Sequence, residues 1–218
     1  MTRLMKFKWG LIFLVLHYLI LRYFAITLAP EARVPMHWNI QDEIDGWWGK
    51  TPALLFYALF NLGLFMLLYA MPWYSPRYRN FRERNEKVIP ALTAGLVLFF
   101  AVFSCYSLWL AASGSQMGMR LVMVPIGLLF VFLGNLLPKV PNNYFVGIRT
   151  PWTLSSDEIW QRTHRLGGWC FVIAGLLFAL RGLLPPLPPV WRVVTAILLL
   201  AFLLYPVLYS LLLYLKKK

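Results

Sequence analysis

His37, Asn39, Asp42, Glu43 and Asp45 place an imidazole, an amide and three carboxylates inside the short segment 35-PMHWNIQDEIDGWWGK-50. That donor set suits a cation. Its spacing, however, matches neither the Asp-x-Asp-x-Asp-Gly run of a calcium loop nor the His-x-x-x-His pair of a zinc helix. Asp45-Gly46 reads equally well as a turn, and Trp47-Trp48 as anchors at a membrane surface. The expectation is therefore a structured loop that contacts a partner through His37, Trp38, Asn39, Asp42 and Asp45, with no metal or cofactor assigned.

His164 is the second reactive group, in 141-PNNYFVGIRTPWTLSSDEIWQRTHRLGG-168. An imidazole titrates near neutral pH and can act as a base, but the sequence places no Ser or Cys nucleophile beside it. Around it Lys139, Arg149, Arg162 and Arg165 face only Asp157 and Glu158. A third polar set, His17, Arg22 and Asn61, lies inside long apolar runs. His17 and Asn61 are each near the middle of theirs, so neighbouring helices would bring them together as a hydrogen-bonded clasp. The competing reading is a polar path for protons or substrate. Arg22 lies closer to a helix end and can extend its charge to the surface. Nothing here assembles a nucleophile with a base, so binding rather than catalysis is expected.

The elements that carry these residues are read from composition. Of the 218 residues, 60% are hydrophobic and 13% charged, and the mean hydropathy is +0.65. Soluble domains are about 45–50% apolar and about 25% charged. Apolar runs of about 18 residues or more indicate helices that cross a bilayer. Six are present, at roughly 9–29, 52–71, 90–112, 119–137, 166–184 and 190–215. The expected fold is a single all-α, polytopic membrane domain of six transmembrane helices. An apolar core near twenty residues makes the first run an uncleaved helix rather than a signal peptide. Cys105 and Cys170 fall within the runs and offer no metal or disulfide spacing.

The net charge of +13 is unevenly distributed. Fifteen of the 21 Lys and Arg lie at the N-terminus, in the second loop, in the fourth loop and in the C-terminal tail. Six alternating helices put all four on one side. Because positive residues are retained in the cytoplasm, both termini are expected inside. Residues 30–51 then form an external polar loop and residues 138–165 a cytoplasmic one. The basicity reads as a topology signal with attraction to anionic lipid, not as direct binding of nucleic acid.

Local punctuation refines the helix ends. Thr51-Pro52 reads as an N-cap with proline at the first helical position, Pro90 as a similar start, and Pro125 and Pro206 as kinks. Ser155 and Glu158 have capping-box spacing. That predicts a short amphipathic helix from Ser156 to about Leu166, with Ile159, Trp160, Thr163 and Leu166 on one stripe, able to lie along the inner leaflet. The short loop Ser113–Gly118 predicts that the third and fourth spans pack as an antiparallel hairpin.

The segment 134-GNLLPKVPNNYFVGIRTPWTLSSDEIWQRTHRLGG-168 closely resembles the signature of the SdpI family of bacterial membrane proteins. The matching positions are Gly134, Asn135, Pro138, Lys139, Asn143, Gly147, Arg149, Thr150, Pro151, Trp152, Trp160, Thr163 and His164. Pro35, His37, Trp38 and Asn39, with Asp45-Gly46, similarly resemble the amino-terminal loop of such proteins. The resemblance implies a multi-pass protein of the bacterial cell membrane that gives immunity to a secreted, membrane-active killing peptide. It also implies signal transduction, in which the toxin-engaged protein sequesters a small DNA-binding repressor at the membrane. On that analogy the external loop meets the toxin. The partner-binding candidates inside are Asn135, Lys139, Asn143, Arg149, Thr150, Trp152, Trp160 and His164. The alternative is a small transporter or channel with a polar path through the first two helices.

Overall fold

The computed structural model describes residues 2–39, 43–115, 119–185 and 187–217, the side chains of 119 and 120 excepted. A single turn, α1 (Arg3–Lys6), leads into α2 (Lys8–Thr27). A β-hairpin of β1 (Arg33–Trp38) and β2 (Ile44–Gly49) follows, then α3 (Lys50–Tyr74) and α4 (Arg82–Ser113). The second half consists of α5 (Met123–Leu136), the short α6 (Pro151–Ser155), α7 (Asp157–Leu183) and α8 (Pro189–Leu215). Among the described residues, five helical segments are long and apolar enough to cross a membrane; the apolar Met123–Lys139 is shorter.

That shorter segment is the main departure from the expected spans. With 14 residues and a rise of about 1.5 Å each, α5 reaches only some two-thirds of a hydrocarbon layer of about 30 Å. Short 3₁₀ turns at Met119–Val122 and Leu137–Lys139 extend it at both ends. Pro125 therefore lies in the first turn, where no intrahelical N–H bond is lost, and not at a kink. Pro206 does lie inside its helix.

Two other starts shift. Helix α3 begins at Lys50 with Gly49 as N-cap, so Thr51 does not cap it. Pro52 still falls within the first turn, where proline is harmless. Helix α4 begins at Arg82, leaving Pro90 inside it; neighbouring helices make such an interior proline tolerable in an apolar bundle.

Helices α2, α3 and α4 pack together, α5 bridges from α4 to α7, and α8 lies against the outer side of α7. The expected hairpin of α4 with α5 is present, but the principal partner of α5 is α7. Glycines explain why. Gly127 faces Gly175 and Gly134 faces Gly168 across the antiparallel pair. A Cβ on Gly134 would sit 2.6 Å from the Gly168 carbonyl oxygen, and one on Gly168 would sit 2.7 Å from that of Gly134. Without side chains at these positions, the backbones come into contact, as small residues allow between membrane helices.

Helix α7 also corrects the expected surface helix. No separate helix ends near Leu166; residues 157–183 form one continuous rod. Gly167 and Gly168 stay helical because their bare faces are filled, Gly167 by Ile148 and Pro206, Gly168 by Gly134 and Pro138. The stripe of Ile159, Trp160 and Thr163 is buried in protein, so it is not available to the leaflet.

The basic segments converge on one end of the bundle. Arg3 donates to the Tyr69 carbonyl, Lys6 pairs with Glu86, Arg77 donates to Asn142 Oδ1 at 2.6 Å, and Lys217 pairs with Glu158. The hairpin occupies the other end. Its presence qualifies the all-α expectation: the bundle is helical, but the 30–51 loop carries antiparallel strands with Pro35 opposite Trp47 and His37 opposite Gly46.

Candidate functional site

The fourth-loop motif folds into a knot of hydrogen bonds on the start of α7. Asn143 organises its first turn. Its Oδ1 accepts from the Phe145 and Val146 amides at 2.8 and 2.7 Å, while its Nδ2 donates to the Pro141 and Val146 carbonyls. One amide side chain thus satisfies four backbone groups of a buried turn that has no regular ladder to join. The chain then passes Gly147 at φ +113°, a conformation that residues with a Cβ rarely adopt.

His164 closes the turn from the other side. Its Nδ1 lies 2.8 Å from the Trp160 carbonyl, so Nδ1–H donates, and Nε2 accepts the Ile148 amide at 3.0 Å. Both ring nitrogens are engaged, which fixes one neutral tautomer. Trp160 stacks on the imidazole with centroids 3.9 Å apart and donates from Nε1 to the Val140 carbonyl at 2.9 Å. The ring assigned above as a possible base is therefore a structural connector between loop and helix.

Thr150 and Thr153 form the capping box that the sequence reading placed at Ser155 and Glu158. Thr150 Oγ1 accepts from the Thr153 amide at 3.1 Å, and Thr153 Oγ1 accepts from the Thr150 amide at 2.8 Å. Pro151 follows at the first helical position, where its missing N–H costs nothing. Ser155 donates back to Trp152 instead, Ser156 is the N-cap of α7, and Glu158 pairs with Arg162 at 2.9 Å. Trp152 reaches sideways and donates to Ser210 Oγ on α8.

The candidates on this side thus divide by exposure. Asn143, Trp160 and His164 are buried and cannot be touched by a partner without unfolding the motif. Thr150 and Trp152 are half-buried. Lys139 and Arg149 are exposed, the latter donating to the Tyr144 carbonyl; Asn135 is exposed and bonds the Val131 carbonyl of its own helix. Sequence reading missed Asn142 and Arg77. Asn142 links Arg77 to Asp157 through bonds of 2.6 and 2.7 Å, and Arg77 lies over the Tyr144 ring at 4.4 Å.

At mid-bundle His17 and Asn61 meet as expected. Asn61 Nδ2 donates to His17 Nδ1 at 2.9 Å and to the Val97 carbonyl at 3.2 Å. His17 Nε2 donates to Ser104 Oγ at 2.7 Å, and Ser104 donates to Ala101. All three side chains are buried, so the clasp joins α2, α3 and α4. Ser104 carries no sequence signal beyond being one of several hydroxyls in an apolar run. Arg22 is exposed on α2, apart from this cluster.

The hairpin of β1 and β2 is pinned to the bundle by a polar chain. Tyr57 donates to Ser107 Oγ at 2.9 Å, and Ser107 donates to the Pro35 carbonyl. Trp38 is buried edge-on against Phe103, so it anchors the loop rather than presenting a face. His37 and Asp45 pair in the open, and Asn39 accepts from the Glu43 amide to close the turn. Asp42 lies outside the described residues. Among the described residues, no three His, Cys, Asp or Glu side chains converge as a metal site requires.

Comparison with known proteins places this architecture. Residues 139–210, the motif with α6, α7 and most of α8, match the family model for the SdpI/YfhL protein family. The chain is also similar to the protein "Immunity protein SdpI" of Bacillus subtilis (strain 168), at 22% identity over 159 residues, covering 71% of this chain and 76% of that protein. No solved structure matches the chain. The matched region coincides with the hydrogen-bonded motif and the helices that receive it, so the similarity to the SdpI/YfhL family is carried by this part of the chain.

Proposed function

We propose that this protein is a membrane immunity protein, giving the cell that makes it resistance to a secreted, membrane-active killing peptide. The observation that carries the reading is the match to a protein named for immunity, extending over most of both chains. It is multi-pass, with six crossings, both termini and the motif in the cytoplasm, and the hairpin outside. Convergence of the basic segments on one end supports that orientation. In the bacterial cell membrane the exposed His37–Asp45 edge and Trp47-Trp48 then face the incoming peptide.

The protein acts by binding, not by catalysis. Both nitrogens of His164 are committed to backbone groups, and among the described residues the His37–Asp45 pair bonds no nucleophile. Signalling to a DNA-binding repressor, if coupled to immunity, would use the exposed Asn135, Lys139 and Arg149, since Asn143, Trp160 and His164 are buried. Sensitive bacteria producing the chain should survive a dose of the peptide that kills controls. Equal killing, with the protein demonstrably in the membrane, refutes immunity.

A further inference from the structure

The inner end of the bundle holds a cavity of about 400 Å³ between the start of α4, the Leu137–Lys139 turn and the start of α7. Arg84, Lys87, Lys139 and Arg165 line it, against the single carboxylate of Asp157. Asp157 is itself held by Asn142, and Lys87 meets the exposed Glu83 at 2.9 Å. Arg84, Lys139 and Arg165 have no ion-pair partner among the described residues. Three cations without an ion-pair partner among the described residues, from three separate elements, thus surround one concavity. Like charges gathered around one cavity repel, and an anion among them relieves that repulsion.

Position and lining identify the anion. Arg165 immediately precedes the apolar part of α7, Arg84 lies one turn before Val88, and Lys139 follows Leu137. The cations therefore sit where the apolar spans begin. The floor is apolar, made by the packed Val88, Val140 and Trp160. A cationic rim over an apolar floor at that depth suits a phosphate carried on a hydrophobic body. It suits a freely soluble phosphate less well.

We propose that this cavity is a binding site for the phosphate headgroup of an anionic phospholipid, with Arg84, Lys139 and Arg165 as its ligands. Such a site is distinct from a diffuse attraction of the whole basic surface, because it depends on three particular residues. Bound lipid would bridge α4 to the motif, joining the two halves of the bundle at their inner ends. The proposal is independent of the immunity reading.

The test is native mass spectrometry of the purified full chain titrated with phosphatidylglycerol, with phosphatidylcholine and with millimolar inorganic phosphate. The expected result is retention of phosphatidylglycerol over phosphatidylcholine. In Arg84→Gln/Lys139→Gln/Arg165→Gln that retention should fall by about ten- to a hundredfold, and in the equally neutralised Lys8→Gln/Arg79→Gln/Arg162→Gln by less than about threefold. Arg84→Lys/Arg165→Lys, which keeps the charge, should retain the lipid and shows that the site tolerates substitution. Equal loss in both triple variants overturns the site in favour of general surface attraction. Displacement by inorganic phosphate reassigns the cavity to a soluble anion and overturns the lipid. No preference for phosphatidylglycerol also overturns it, leaving the cations to an acidic protein segment.

Discussion

His164 occupies the space that a side chain on Gly147 would need: a Cβ there would overlap the imidazole, and the glycine's φ of +113° already disfavours any other residue. The next amide, Ile148 N–H, is the one that His164 accepts. Ring and glycine therefore form one device, in which the bare backbone lets the loop come close enough to bond the helix.

Gly147→Ala should accordingly destabilise the protein by about 2–4 kcal/mol, combining backbone strain with overpacking. Thermal unfolding in mild detergent measures it. His164→Ala should cost about 1–3 kcal/mol because it leaves the Ile148 amide without its acceptor. If the ring were a catalytic or partner-contacting group, His164→Ala would alter activity with stability unchanged.

Trp152 and Ser210 tie the motif to α8. Trp152→Phe and Ser210→Ala should each lower stability by about 1 kcal/mol, and the double variant should cost clearly less than the sum of the two. A double-mutant cycle on unfolding in detergent tests this; strict additivity would mean the two side chains do not interact.

Much of the helical layout was legible because long apolar runs and clustered charge are strong, simple signals. The clasp was legible for the same reason: His17 and Asn61 are conspicuous in hydrocarbon and have few possible partners. Ser104 was not, since a serine in an apolar helix is common and its partner lies far away in sequence. The continuous α7 was misread because Gly167-Gly168 looks like a break when viewed locally. Only Ile148 and Pro206 against Gly167, and Gly134 and Pro138 against Gly168, show why those glycines remain helical. The β-hairpin hid behind charged turn residues, and the buried state of Asn143, Trp160 and His164 could not be told from a polar motif read in one dimension.

The clasp gives a prediction that separates structure from transport. His17→Ala and Asn61→Ala should each cost about 0.6–2 kcal/mol, the range for hydrogen bonds between membrane helices. Resistance to the peptide should persist as long as the protein remains in the membrane. Proton or solute flux in liposomes that disappears with His17→Ala would instead support a polar path.

Orientation can be tested with single cysteines in a background where Cys105 and Cys170 are replaced by alanine. Glu43→Cys, beside the hairpin turn, should react with a membrane-impermeant thiol reagent in intact cells. Arg79→Cys, in the basic second loop, should react only after permeabilisation. The reverse pattern would invert the topology and move the motif outside.

The central claim, immunity at the membrane, is tested most directly by recording membrane potential in sensitive bacteria as the killing peptide is added. Cells producing this protein should hold their potential at a dose that collapses it in controls, and cells producing the destabilised Gly147→Ala variant should lose that protection in proportion to the protein lost. Collapse at the same dose and rate in producing and control cells, with the wild-type protein present in the membrane, would contradict it.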